Sequence, residues 1–399
     1  MPNRPAPLPT PRLPMTPVLS WASVARGRGA RVPSILDAGP ARLVTSGRIA
    51  IALALREMGI GPGDVVLVPA WHSLSMIPPV LWRGATPLFY KLGMDAAVDL
   101  DDVAAKLDAR VKAIMVTHYF GVPQDIARIR AFCDAHGLLL LEDCAHCFFG
   151  EHAGRPVGSF GDYAIGSSMK FFPIFEGGCL VSARHALKAP PLRSAGLGFE
   201  AKIALASLEN SFAHGRLAPV KAMLWLPMKL KDLAWRTLKA RRAGAGAATA
   251  ALAPSSSDSS AEFEPAWLDK RSSWFSRTML RLVSRPRIVA QRRRNYQALQ
   301  RALGGLPGCR PLYPALPDGA CPWLFPMLVD EPDRLAARLK DAAVPVVRFG
   351  QHQWPGVDAA VCPNSAALAH GVLAFPCHQD LLPHELASMI ARIAQALQP

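Results

Sequence analysis

Between residues 45 and 142, apolar and polar positions fall into two alternating textures. Short apolar runs at 64–69 (DVVLVP), 84–90 (GATPLFY), 113–117 (AIMVT) and 138–142 (LLLLE) read as buried strands. Between them apolar residues recur at helical spacing: RIAIALALREMGIG, opened by Thr45-Ser46-Gly47 and ended by glycine, then 101–107 and 125–136. Alternation of this kind predicts a mostly parallel sheet with helices on both faces. Ligands of such sheets bind beyond the carboxyl ends of the strands, where the Trp71-His72 turn and Asp143 fall.

After residue 182 the texture changes. Residues 219–242 mix apolar bulk with Lys229, Lys231, Arg236, Lys239, Arg241 and Arg242. One reading is an interfacial helix on an anionic membrane. The other, favoured by the interruption at Pro227, is a helix packed on the protein's own surface or on a dimer partner. Residues 243–261 are low in complexity and read as a linker. From 264 a second folded region is expected: a basic helix through RPRIVAQRRRNYQALQRAL, strands near 323–329 and 344–349, and a helix at 383–397. Residues 1–45 hold nine of the 37 prolines and read as an extended arm. The expected division is an arm (1–45), a large α/β domain (46–195), a basic amphipathic insertion with its linker (196–263), and a smaller C-terminal α/β domain (264–399).

Composition narrows the function. The 399 residues are half hydrophobic, which is globular, and 45 basic against 30 acidic residues give +15. That excess suits acidic partners such as phosphorylated metabolites, nucleic acid or anionic lipid. The basic clusters, Arg292-Arg293-Arg294 among them, lack interleaved aromatic platforms and match no DNA-binding spacing, so a solvated helix face is expected rather than nucleic acid. Eight scattered cysteines form no disulfide framework, the Pro-rich N-terminus has no continuous apolar run, and a reducing cytoplasm is the expected setting. Cys144-Ala145-His146-Cys147 has redox or half-zinc spacing, but there is no second pair to complete four ligands. No metal is expected, and packing cysteines beside a ligand-facing His146 are the preferred account.

The candidate chemistry lies in 138–182. Asp143, a carboxylate at a strand end, suits a pyridine nitrogen that must stay protonated, or else a simple helix cap. Lys170, set among apolar residues after Ser167-Ser168, suits an amine nucleophile for a Schiff base, or else a lysine that reaches solvent. Ser46-Gly47-Arg48 opens a helix whose free N–H groups suit a phosphate, or else only an ordinary N-cap. Together they point to pyridoxal 5'-phosphate (PLP).

Taken in order, SGRIAIALALREMGIGPGDVVLVPA, GATPLFY, VTHYFGVPQD, LLLEDCAH, GRPVGSFGDYA and EGGCLVS resemble the landmarks of the DegT/DnrJ/StrS-type sugar aminotransferases, PLP enzymes of fold type I. The resemblance implies that Lys170 carries the cofactor as a Schiff base and then moves the proton. It implies that Asp143 pairs with the pyridine nitrogen and that His146 lies near the phenolic oxygen. Ser46, Gly47 and Arg48, with Ser167 or Ser168, would hold the phosphate, and Trp71 or His72 would cover the ring. It further implies a homodimer that transaminates a keto-sugar nucleotide, with an amino acid such as glutamate as donor, in polysaccharide or related sugar biosynthesis. A binding or assembly protein derived from such an enzyme is the alternative. Three departures stand out: a short interval between Asp162 and Lys170, no asparagine near Ser272–Ser276 to reach a partner's phosphate, and the 195–262 stretch as a replacement or insertion.

Overall fold

The computed structural model describes residues 12–25, 32–188, 191–226, 228–229 and 262–398. Its centre is a seven-stranded sheet built from β1 (Ala41–Val44), β2 (Val65–Pro69), β3 (Thr86–Tyr90), β4 (Val111–Thr117), β5 (Leu139–Cys144), β8 (Tyr163–Ser167) and β9 (Gly178–Val181). Between β5 and β8 lies a small hairpin, β6 (Glu151–His152) with β7 (Arg155–Pro156). The order across the large sheet is β1-β9-β8-β5-β4-β2-β3. The pairs from β3 to β8 are parallel, and β9 enters antiparallel between β8 and β1. Ala41–Val44, read above as the end of an arm, is therefore the edge strand of this sheet.

Helices cover both faces, so the central strands are apolar on both sides and bury all or nearly all their residues. Alternation along each strand divides them between two cores. Val66, Val68, Ala113, Met115, Leu141 and Ile165 go to one face, and Leu67, Ile114, Val116, Leu140 and Ala164 to the other. The first face receives the helix Gly47–Glu57, whose residues Arg48 to Leu55 are all buried.

The C-terminal region has its own core around a three-stranded antiparallel sheet, β10 (Cys309–Pro311), β11 (Leu324–Val329) and β12 (Val372–Pro376). The helices Arg285–Leu303, Pro332–Asp341 and Pro383–Leu397 pack on it. The strand expected at 344–349 is reduced to one bridge, Val347 with Ala374. Pro345 lacks an N–H, and the chain turns at Gly350 (φ +71°), so β12, which the pattern did not suggest, takes that place.

The 196–263 stretch begins with helices Leu197–Ala213 and Ala218–Met223. Met223, Trp225 and Leu226 are exposed. Most of the rest of the proposed interfacial helix, and the whole 243–261 linker, lie outside the described residues. Among the described residues no helix is long and apolar enough to cross a membrane.

Candidate active site

Strand parity builds the site. Thr117 pairs in register with Asp143, and both follow residues that face the helix Gly47–Glu57. Beyond the same face of β8 comes Ser167. Thr117, Asp143 and Ser167 thus converge at the carboxyl ends of three strands, opposite the first turn of that helix, and line one cleft with Ser46, Gly47 and Arg48. His146 and Lys170 complete the polar lining. The cleft holds about 530 Å³ not filled by protein atoms, part of it open to solvent.

Glu142 and Asp143 are neighbours with opposite fates, because successive strand residues face opposite sides. Glu142 is wholly buried beneath the sheet, where it accepts from the backbone N–H groups of Gly158, Phe160 and Gly161 and from His118 Nε2 at 3.1 Å. His118 Nδ1 in turn accepts the Gln124 N–H, which leaves Nε2 to donate to Glu142. His118, Glu142 and Cys144 are close enough to hold a cation, but the histidine and carboxylate donors are already engaged with one another and with the backbone. Asp143 instead turns to the cleft. One of its oxygens accepts the Ala145 N–H at 2.9 Å and the other faces the Thr117 hydroxyl at 3.4 Å.

Ser46 caps the helix by accepting the Ile49 N–H, which leaves the first N–H groups directed into the cleft at the positive end of an 11-residue helix. The Gly177-Gly178 pair makes this placement possible. A Cβ on Gly178 would lie 2.4 Å from the Ser46 carbonyl and 2.7 Å from the Gly47 nitrogen. Gly177 has φ +135°, and a Cβ there would lie 2.3 Å from Ser168 Oγ. The preceding residue, Glu176, accepts from the hydroxyls of Ser272 and Ser273 and from the Ser273 N–H. The serines at 272–276 therefore anchor this chain's own loop.

Lys170 ends a short turn after β8, and its ammonium lies 4.5 Å from the centroid of the Trp323 ring. His146 stacks on the same Trp323 ring, with centroids 3.9 Å apart, and lies edge-on to Phe349. Burial, and then the charge of Lys170, hold the His146 pKa well below its ordinary value, so the imidazole is neutral. The expected packing role of the cysteines agrees with their surroundings: Cys144 and Cys147 are buried, and burial pushes both thiols far above their usual pKa.

Seven of the ten residues singled out above meet in the cleft: Ser46, Gly47, Arg48, Asp143, His146, Ser167 and Lys170. Trp71 and His72 do not line it. Trp71 is buried against Tyr119, with its Nε1 donating to the Phe349 carbonyl, and His72 stacks on Phe89. The residues of that turn facing the cleft are Ser73 and Ser75, two and four positions after Trp71 on an irregular segment where no periodicity could choose among them. Ser168 lies behind the lining, beneath Gly177. Thr117 was recoverable from the sequence as the last residue of the strand beside Asp143. Phe349 and Trp323 come from the distant C-terminal region and carried no local signal.

The match to a known family agrees with this geometry. The family model for the DegT/DnrJ/EryC1/StrS aminotransferases matches residues 36–285, more than half of the chain. The chain belongs to that family. Among curated relatives, the GDP-perosamine synthase of Vibrio cholerae is 37% identical over 145 residues, which is 36% of this chain and 40% of that protein. A UDP-N-acetyl-3-dehydro-alpha-D-glucosamine 3-aminotransferase of Acidithiobacillus ferrooxidans is 39% identical over 153 residues, 35% and 38% of the two chains. The chain thus matches less than half the length of these relatives. A putative sugar aminotransferase from Streptococcus pneumoniae in its apo form shares the fold across 97% of this chain and 98% of that one, at 17% identity and a TM-score of 0.64.

The lining fits the group that the DegT/DnrJ/EryC1/StrS family implies. In that lining His146 Nδ1 is buried without a hydrogen-bond partner among the described residues, and a helix start alongside offers donors to an anion. A carboxylate, an amine and an anion cradle around one cleft are the donor set that a phosphorylated pyridine aldehyde requires.

Proposed function

We propose that this protein is a PLP-dependent aminotransferase acting on the keto group of a nucleotide-linked sugar, with an amino acid, glutamate by preference, as nitrogen donor. The observation that carries the reading is the convergence of the Lys170 amine, the Asp143 carboxylate and the Ser46–Arg48 helix start on a single cleft. PLP, when bound, supplies an electron sink for breaking a bond at the amine-bearing carbon.

The chain's residues do the rest. Asp143 keeps a negative charge at the ring nitrogen, and the Thr117 hydroxyl beside it orients that carboxylate. Lys170 holds the cofactor by its amine and afterwards moves the proton at the reacting carbon. Backbone N–H groups of Gly47 and Arg48 bind the phosphate, with Ser167 alongside. His146, neutral and with a free ring nitrogen, accepts or donates at the ring's oxygen without adding charge. The adjoining hollow between Ser73, Trp323, Gln351 and His352 gives room for the sugar. The excess of positive charge suits a diphosphate substrate. The reading extends to a homodimer and to a large cofactor domain joined to a smaller C-terminal one, both supported by the family resemblance.

Purified protein mixed with PLP should develop visible absorbance that Lys170→Ala abolishes. A panel of keto-sugar nucleotides with labelled glutamate then identifies the acceptor. Protein that never takes up PLP would sink the enzyme reading and favour a binding or assembly role.

A further inference from the structure

Arg292 was expected on a solvated helix face, yet it is wholly buried. A guanidinium loses most of its hydration there, so its donors must be answered by the protein. Nη2 donates to the Lys170 carbonyl at 2.9 Å, and Nη1 donates to the carbonyls of Trp323 at 3.0 Å and Pro322 at 3.1 Å. Nε donates to Gln379 Oε1 at 2.8 Å, and Gln379 Nε2 passes a bond on to the Phe171 carbonyl, also at 2.8 Å. None of these acceptors is a carboxylate. The side chain also lies over the Phe171 ring, 4.5 Å from its centroid.

Two of the segments held in this way meet again at the site. The Lys170 ammonium lies over the Trp323 ring, which stacks on His146. One rigid cation from the C-terminal region therefore fixes the backbones of both the amine-bearing residue and the aromatic beside it. A planar fork of five N–H donors can span two chain segments, whereas an ammonium is a point donor that cannot hold the same set.

We propose that Arg292 is a positioning residue for Lys170: its buried fork sets the lysine and Trp323 relative to each other and so aims the amine into the cleft. The assignment rests on the reading of Lys170 as the cofactor lysine, but the aim of the amine is measurable without any cofactor.

In the cofactor-free protein, Lys170 is labelled by formaldehyde with cyanoborohydride, and labelling is followed by peptide mass spectrometry against Lys112 (exposed) and Lys106 (half-buried). Arg292→Lys should raise Lys170 labelling about threefold or more, the scale of losing one or two hydrogen bonds, and leave Lys106 and Lys112 unchanged. With PLP and borohydride trapping, adduct formation at Lys170 should fall about tenfold or more, because misplaced groups react poorly. Gln379→Met, which removes one link of the clamp, should move both readouts in the same directions by less, and serves if Arg292→Lys does not fold. Folded variants with wild-type labelling and wild-type adduct formation overturn the proposal. So does an equal rise at Lys106, which would mark general loosening. Wild-type protein that forms no PLP adduct refutes the cofactor reading instead, and the labelling arm still decides the clamp.

Discussion

Gly178→Ala tests whether the cradle depends on close backbone approach. The added Cβ would lie 2.4 Å from the carbonyl carbon and oxygen of Ser46 and 2.7 Å from the Gly47 nitrogen, all backbone atoms that cannot rotate away. Ordinary contact needs about 1 Å more, so β9 or the helix start must shift by roughly that amount. Overpacking of this kind costs about 1–3 kcal/mol of stability. The same shift withdraws the N–H groups of Gly47 and Arg48 from a bound phosphate, and a hydrogen bond to a charged group contributes roughly 1.5–3 kcal/mol. PLP affinity should therefore fall on the order of tenfold to a hundredfold. Gly47→Ala is the control, because its Cβ would meet nothing nearer than 3.8 Å. It should melt within about 1 kcal/mol of wild type. Thermal melts with and without PLP, and a titration followed by visible absorbance, measure both effects. Gly178→Ala with wild-type melting and wild-type PLP affinity would refute the reasoning.

Three other substitutions probe separate parts of the molecule. Asp143→Asn removes the charge proposed to face the ring nitrogen and should lower turnover by about a hundredfold or more while the melting temperature holds, since the proposed role is electrostatic; steady-state kinetics at matched PLP saturation read it. Glu142→Gln replaces a carboxylate that accepts three backbone N–H groups and His118 with an amide that must turn its NH2 toward a donor. It should cost about 1–3 kcal/mol in urea unfolding, and no loss would show that the bonds contribute nothing net. Burial holds His72 neutral, with its pKa pulled from 6.5 down to about 4. Its folded pKa lies below the unfolded one, so its contribution is full above pH 6.5 and is lost as pH falls toward 4, by roughly 3 kcal/mol over that window. The melting-temperature gap between wild type and His72→Gln should accordingly narrow from pH 7 to pH 4.5, and a constant gap would contradict the assignment.

The sequence carried the large sheet well because β2, β4 and β5 are continuous apolar runs and their helices begin and end on recognisable caps. Strand-end residues such as Asp143 were legible for the same reason. Trp71 and His72 stay out of the cleft lining because their segment is irregular, and an indole in such a turn packs as readily into the core as into a cleft; His72 borders the adjoining hollow instead. Arg292 was misread because three consecutive arginines on a helix face three directions, and only tertiary structure shows which one turns inward. Trp323 and Phe349 reach the site from more than 150 residues beyond Lys170, a juxtaposition that no local pattern contains.

The antiparallel entry of β9 between β8 and β1 also bears on how the protein is made. Val44 pairs with Gly178, so the strand leading into the cofactor helix gains its neighbour only after more than a hundred further residues have left the ribosome. The parallel ladder from β3 to β8 has no such wait, because each strand pairs with one already synthesised or soon to follow. Non-local pairings close late and slowly. The start of that helix is framed by Gly178 of the same late-pairing strand, so a nascent chain that has not closed β9 onto β1 lacks one wall of the proposed cradle. Withholding PLP until refolding is complete should cost the protein nothing in final yield, because the cradle is complete only once the sheet is whole.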